Sequence, residues 1–98
     1  MTNSAQIPPD TLRHQADVAH EAGFTQLAEN FRRAAELTAV PNDELLKMYE
    51  LLRPGRSTYA ELLAMAESLE RDYRAVETAT FVREAAAVYL QRNLFRRE

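Results

Sequence analysis

No glycine or proline occurs between Arg56 and Glu98, and the whole chain holds only two glycines and four prolines among 98 residues. Glycine and proline are the strongest local punctuation a chain has. The second half therefore has no tight-turn residues, and it is built from Ala, Leu, Glu and Arg, which are good helix formers. Ile occurs once in the chain and Trp is absent, so the β-branched and aromatic residues that favour sheets are scarce. The expected fold class is all-α: a compact bundle of four to five short helices. The expected organisation is a lead-in over residues 1–9 and one helical domain over residues 10–98, since about 100 residues suit a single domain.

The breakers in the first half place the elements. Pro8-Pro9 closes the lead-in, Asp10 is a candidate N-cap and Leu12 opens a helical pattern. Gly23 stops that helix after Ala22, and Thr25 is the candidate cap of the next. On the second helix Leu27, Phe31, Ala34, Ala35 and Thr38 share a face, and Pro41 ends the element. Asn42-Asp43-Glu44 opens a third helix with its carboxylates at the positive end of the dipole, and Leu45, Met48, Tyr49 and Leu52 form its stripe. Arg53-Pro54-Gly55-Arg56 reads as a turn. Thr58-Tyr59-Ala60-Glu61 matches the capping box that starts a fourth helix, striped by Leu62, Met65, Ala66, Leu69 and Tyr73. A break is expected near Asp72–Ala75, because a helix of about 35 residues is rare in a small domain. The fifth helix then runs from about Val76 to Asn93 with Phe81, Ala85, Val88 and Tyr89 on one face. Glu29–Arg33, Asp43–Lys47, Glu67–Arg71 and Glu70–Arg74 are acid-before-base pairs at i,i+4, each worth about 0.2–0.5 kcal/mol.

Chemistry is harder to find. There is no cysteine, which excludes disulfides, thiolate metal sites and thiol nucleophiles. His14, Asp17 and Glu21 share a face of the first helix, with His20 nearby, but one short helix supplies them all and a solvated polar face explains them. Ser4 lies in the lead-in, Ser57 precedes a helix start and Ser68 lies mid-helix, each without a histidine nearby in sequence. No phosphate-cradling glycine loop is possible. The expected catalytic, metal-binding and cofactor-binding residues on this chain are none. A net charge of −3 argues against nucleic-acid binding by the whole domain. No apolar run is long enough for a membrane span, and Met1–Gln6 lacks the features of a signal peptide, so a cytoplasmic protein is expected.

Arginine use is the most telling surface feature: the chain has eleven arginines and one lysine. The planar, weakly hydrated guanidinium suits interfaces. Arg83 has only Ala79, Thr80, Ala86 and Ala87 one turn away, so no acid on its own helix pairs with it. Arg56 also lacks an obvious local acid. Both are candidates for contact with a distant helix or another chain. The basic C-terminal run Gln91–Arg97 gives a competing reading, a stand-alone helical adaptor or weak RNA binder.

The stretch Asn30-Phe31-Arg32-Arg33-Ala34-Ala35-Glu36-Leu37 closely resembles the small (gamma) subunit of adenosylcobalamin-dependent diol and glycerol dehydratases. So, in order, do Val40-Pro41, Tyr49, Leu52-Arg53-Pro54, Arg56-Ser57, Ala60-Glu61-Leu62-Leu63, Ser68-Leu69-Glu70, Phe81-Val82-Arg83-Glu84-Ala85-Ala86, Val88-Tyr89 and Arg92. The resemblance covers roughly residues 10–93. It implies a diol dehydratase gamma-subunit-like fold. It also implies a non-catalytic place in a heterohexamer with two copies each of large, medium and small subunits, which dehydrates 1,2-propanediol or glycerol to an aldehyde. Adenosylcobalamin is then bound by the holoenzyme and not by this chain. Phe31, Arg33, Arg53, Arg56, Phe81 and Arg83 are the interface candidates, divided between core and large-subunit contact. Several relatives carry a longer N-terminal extension linked to bacterial microcompartments; the short lead-in here does not favour such packaging through this subunit.

Overall fold

A computed structural model describes residues 7–96. It is all-helical among those residues: α1 (Pro9–Glu21), α2 (Thr25–Leu37), α3 (Asn42–Leu51), α4 (Tyr59–Tyr73) and α5 (Val76–Arg92). Most of the expected lead-in, residues 1–6, lies outside the described residues. α1 packs on α2 and α4 packs on α5, giving two helical hairpins. They meet through α2 and α5, while α3 rests against α4. The molecule is flattened, 43 × 37 × 22 Å.

The turns obey local chemistry. Gly23 follows α1 at φ +87°, and the Gly23 and Phe24 N–H groups return to the carbonyls of His20 and Ala19. That arrangement satisfies two orphan helix carbonyls and requires the left-handed backbone glycine adopts without strain. Gly55, at φ +80°, follows Pro54 in a turn closed by Arg56 N–H to Arg53 C=O at 3.1 Å. The expected capping box forms: Thr58 Oγ1 accepts the Glu61 N–H at 3.2 Å, and Glu61 Oε1 accepts the Thr58 N–H at 2.9 Å.

Two expected caps are displaced. α1 begins after Pro8, with Pro9 and Asp10 in its first turn, because proline's fixed φ suits the first helical position. Asp10 pairs with Arg13 at 3.3 Å and caps nothing. Thr25 is the first residue of α2, preceded by Phe24, and provides no side-chain cap.

α4 and α5 are separate, divided where the sequence reading set the break. The hinge is Arg74, left-handed at φ 54°, followed by Ala75, whose N–H reaches the Leu69 carbonyl at 3.0 Å. An arginine stands where glycine is the usual occupant. Left-handed backbone costs an ordinary residue about 1–2 kcal/mol.

The core is alanine-rich. Its principal cluster is Val40, Met48, Leu62, Ala66, Leu69, Ala75, Ala79, Val82 and Ala86. A second seam, Leu12, Ala16, Ala19, Ala28 and Ala35, lies on α1 and α2. Alanine buries one methyl group, far less than the 1.5–3 kcal/mol of a fully buried leucine or valine, but its small size allows close helix approach.

On the α4 stripe Leu62, Ala66 and Leu69 are buried, with Met65 and Tyr73 half-buried against them. The stripes of α2 and α5 are rotated. On α2 the buried residues are Ala28 and Ala35, while Leu27 and Ala34 are exposed. On α5 they are Thr78, Ala79, Val82 and Ala86, while Phe81 and Val88 stay 43% and 40% exposed. α5 is apolar around most of its circumference, so period alone does not choose the face. Close packing chose the smaller side chains. Tyr49, expected on the α3 stripe, is exposed as well.

A hydrogen-bonded carboxylate joins the hairpins. The α5 start offers no capping side chain at Ala75. Glu36, from α2, takes that role: its carboxylate accepts the Glu77 N–H at 2.9 Å, the Thr78 N–H at 2.7 Å and the Thr78 hydroxyl at 2.7 Å. A carboxylate at a helix N-terminus satisfies orphan donors and meets the positive end of the dipole.

Two predictions follow from these contacts. Glu36→Ala removes three charge-assisted acceptor contacts, and should lower stability by about 1.5–3 kcal/mol in urea unfolding, against a smaller loss for Thr78→Val. Arg74→Gly relieves a left-handed residue and should raise the urea midpoint by the equivalent of about 0.5–1 kcal/mol, whereas Arg74→Val should lower it.

Candidate subunit interface

The six candidate residues fall into four places. Arg33 and Phe81 meet between α2 and α5, the guanidinium carbon 4.5 Å from the ring centroid. Arg33 also donates to Asn30 Oδ1. Phe31 is half-buried on α2, apart from that stack. Arg53 and Arg56 flank the Pro54-Gly55 turn and converge on Glu50, at 3.4 and 3.6 Å. The local acid missing from the Arg56 reading is therefore six residues upstream, brought back by the turn. Arg83 reaches across the second hairpin to Glu70 Oε1 at 2.6 Å.

These pairings redistribute the charge pairs expected along single helices. Glu67–Arg71 forms at 3.7 Å. Glu70 turns to Arg83 instead of Arg74, Arg33 turns to Asn30 and Phe81 instead of Glu29, and Asp43 accepts the Glu44 N–H instead of pairing with Lys47. Exposed pairs contribute little energy, so small geometric preferences decide among partners.

The C-terminal segment closes over the turn. Gly55 N–H donates to the Leu94 carbonyl and Arg96 N–H to the Ser57 carbonyl, both at 2.8 Å. Phe95 sits edge-on to Tyr59 and Tyr89, with centroids 5.8 and 5.7 Å away. The Tyr89 hydroxyl donates to the Leu52 carbonyl. Arg96 pairs with Glu61 at 3.3 Å, so part of the basic run is committed to the fold. The sequence reading missed this strap and the Glu36 cap. The cap had a visible signal, a helix start without Ser, Thr, Asp or Asn.

The residues weighed for chemistry lie apart. His14 and His20 are exposed on α1. The buried Ser57 hydroxyl donates to the Leu51 carbonyl at 2.7 Å, and Ser68 donates to Asp72 at 3.1 Å. Ser4 lies outside the described residues. Among the described residues no three His, Asp or Glu side chains are grouped to hold a metal ion, and no helix is long and apolar enough to cross a membrane. The Asp72 carboxyl is held below its usual range by the hydrogen bond from Arg71, then by that from Ser68.

An open groove of about 570 Å³ lies between α2 and α5, with Glu29, Arg33, Glu77, Phe81 and Glu84 on its walls.

The family described as "Dehydratase small subunit" matches residues 1–96. This chain belongs to that family. It is 58% identical over 87 residues to a protein of Citrobacter freundii described as "Propanediol dehydratase small subunit", covering 89% of this chain and 51% of the relative. A protein of Salmonella typhimurium with the same description is also 58% identical over 87 residues, with 89% and 50% covered. The chain spans about half the length of the curated relatives it matches.

Glu61 yields a pH prediction. Its carboxyl is held below the ordinary 4.5, first by the hydrogen bond from the Thr58 backbone N–H, with Arg96 adding to it. A depressed carboxyl adds stability above its unfolded pKa and loses it as pH falls through the folded value. The melting-temperature gap between the native chain and Glu61→Gln should therefore be open near neutrality and close as pH falls below about 4.

Proposed function

We propose that this chain is the non-catalytic small subunit of an adenosylcobalamin-dependent diol dehydratase in the cytoplasm. The assembly would convert 1,2-propanediol or glycerol to an aldehyde and water. In this reading the chain packs on the large catalytic subunit in a heterohexamer with two copies each of large, medium and small subunits. The observation that carries the reading is the 58% identity with propanediol dehydratase small subunits across 89% of this chain.

The chemistry of the chain supports a structural role. The adenosyl cofactor supplies radical chemistry when bound, and the protein around it supplies binding and shielding. This chain does not fit that cofactor. Its α2–α5 groove, about 570 Å³, is open and walled by three carboxylates. Drug-sized ligands already occupy about 300–1,000 Å³, and a corrin with its nucleotide tail is far larger. In this reading the cofactor belongs to other subunits, and no step of the reaction is assigned to residues here.

The physical character of the surface supports a partner. Large apolar side chains including Phe24, Leu46, Tyr49, Phe81 and Leu90 are exposed while the core is filled largely by alanine. A chain that leaves its larger apolar groups outside gains by association, because binding stabilises the folded state by mass action.

The test is co-expression with the large and medium subunits from the same operon, followed by size exclusion with light scattering. The expected result is a stoichiometric complex whose cobalamin-dependent aldehyde formation falls when this chain is omitted. A folded monomer that elutes apart from both subunits overturns the reading. Arg96, committed to Glu61, leaves the RNA-binding alternative with less free basic surface, and no observation favours it.

A further inference from the structure

We infer that the α2–α5 groove, together with the apolar face of α5 beside it, docks a basic segment of a partner subunit carrying Arg or Lys among apolar side chains. The inference rests on the assembly reading above and deepens it by naming the surface. Three observations converge on this place. The groove is an open concavity of about 570 Å³, enough for a few side chains. Its α5 wall continues into an apolar strip: Phe81, Ala85 and Val88 lie at i, i+4 and i+7, and Phe81 and Val88 are exposed although the pattern is that of a buried helix face.

The third observation is charge, and it selects the occupant. Glu50, Glu61, Glu67, Glu70 and Asp72 all have arginine partners within the chain. Glu29, Glu77 and Glu84, which wall the groove, make no ion pair among the described residues. The single cation in the groove, Arg33, is spent on the Phe81 ring and on Asn30. Three carboxylates against one engaged guanidinium leave a negative concavity beside an apolar strip. Complementary charge steers and registers a partner, and the apolar strip supplies the buried centre. An acidic partner would meet repulsion here.

The experiment uses the co-expressed assembly with two variants of this chain, Glu29→Arg/Glu84→Arg and Val88→Asp. The side chains of Glu29, Glu84 and Val88 make no hydrogen bond or ion pair among the described residues, so circular dichroism and melting temperature should match the parent. Each variant should reduce the amount of this chain recovered with the tagged large subunit by about tenfold or more. Glu44→Arg, an unpaired acid on α3, should leave recovery unchanged. A photocrosslinking residue at Val88 should join this chain to another subunit, at or next to an Arg or Lys. Full recovery of the charge-reversed variant, or a crosslink only to a second copy of this chain, overturns the inference while leaving the assembly reading intact. Failure of the parent chain to assemble overturns both.

Discussion

The Glu36 carboxylate is the contact on which the arrangement of the two hairpins depends. Each hairpin is explained by its own sequence: α1 and α2 by the Gly23 turn and an alanine seam, α4 and α5 by the capping box and the Arg74 hinge. Nothing local explains their relative placement. Glu36 does, because α5 starts without a capping residue and its Glu77 and Thr78 N–H groups must be satisfied from outside. A single half-buried side chain therefore couples the helix start to the second hairpin's position. Its geometry also sets the groove. Beyond Glu36 the groove lies between the same two helices, with Arg33 stacked on Phe81 on its walls.

Alanine determines what kind of stability this fold has. Helices that approach on alanine make many weak dispersion contacts and bury little apolar area per residue. The larger apolar groups are distributed differently: Leu62, Leu69 and Val82 sit in the principal cluster, while Phe24, Leu46, Phe81 and Leu90 face outward. The C-terminal strap compensates in part. Phe95 wedges between Tyr59 and Tyr89, and two backbone hydrogen bonds tie it to the Gly55–Ser57 loop. The strap converts the Pro54-Gly55 loop into a pinned corner.

Legibility in the sequence followed the range of the physics. Elements set by neighbouring residues were readable: the Gly23 stop, the Pro54-Gly55 turn, the Thr58–Glu61 box and the break before Val76. The break carries no glycine, and helix length alone pointed to it. Faces were less readable. On α4 the large residues are confined to one side and the stripe is unambiguous. On α5 Ala79, Val82 and Ala86 compete with Phe81, Ala85 and Val88, and only the tertiary fit of small residues against α4 decides. Partners separated by tens of residues, such as Glu36 with Thr78 or Arg83 with Glu70, leave at most a negative trace: a helix without a cap, an arginine without a neighbour.

That distinction bears on how the arginine-rich surface should be understood. An excess of arginine over lysine suits interfaces, because a planar fork pairs with carboxylates at low desolvation cost. The same property makes arginine a good partner within the chain, and Arg53, Arg56, Arg83 and Arg96 are all used that way. Internal pairing consumes acids as well as bases. What remains unmatched is set by where the arginines are otherwise engaged, and the groove between α2 and α5, whose one arginine is stacked on Phe81, is such a place. The recognition character of this surface thus comes from carboxylates left over by the fold, set beside apolar residues that an alanine core had no room to bury.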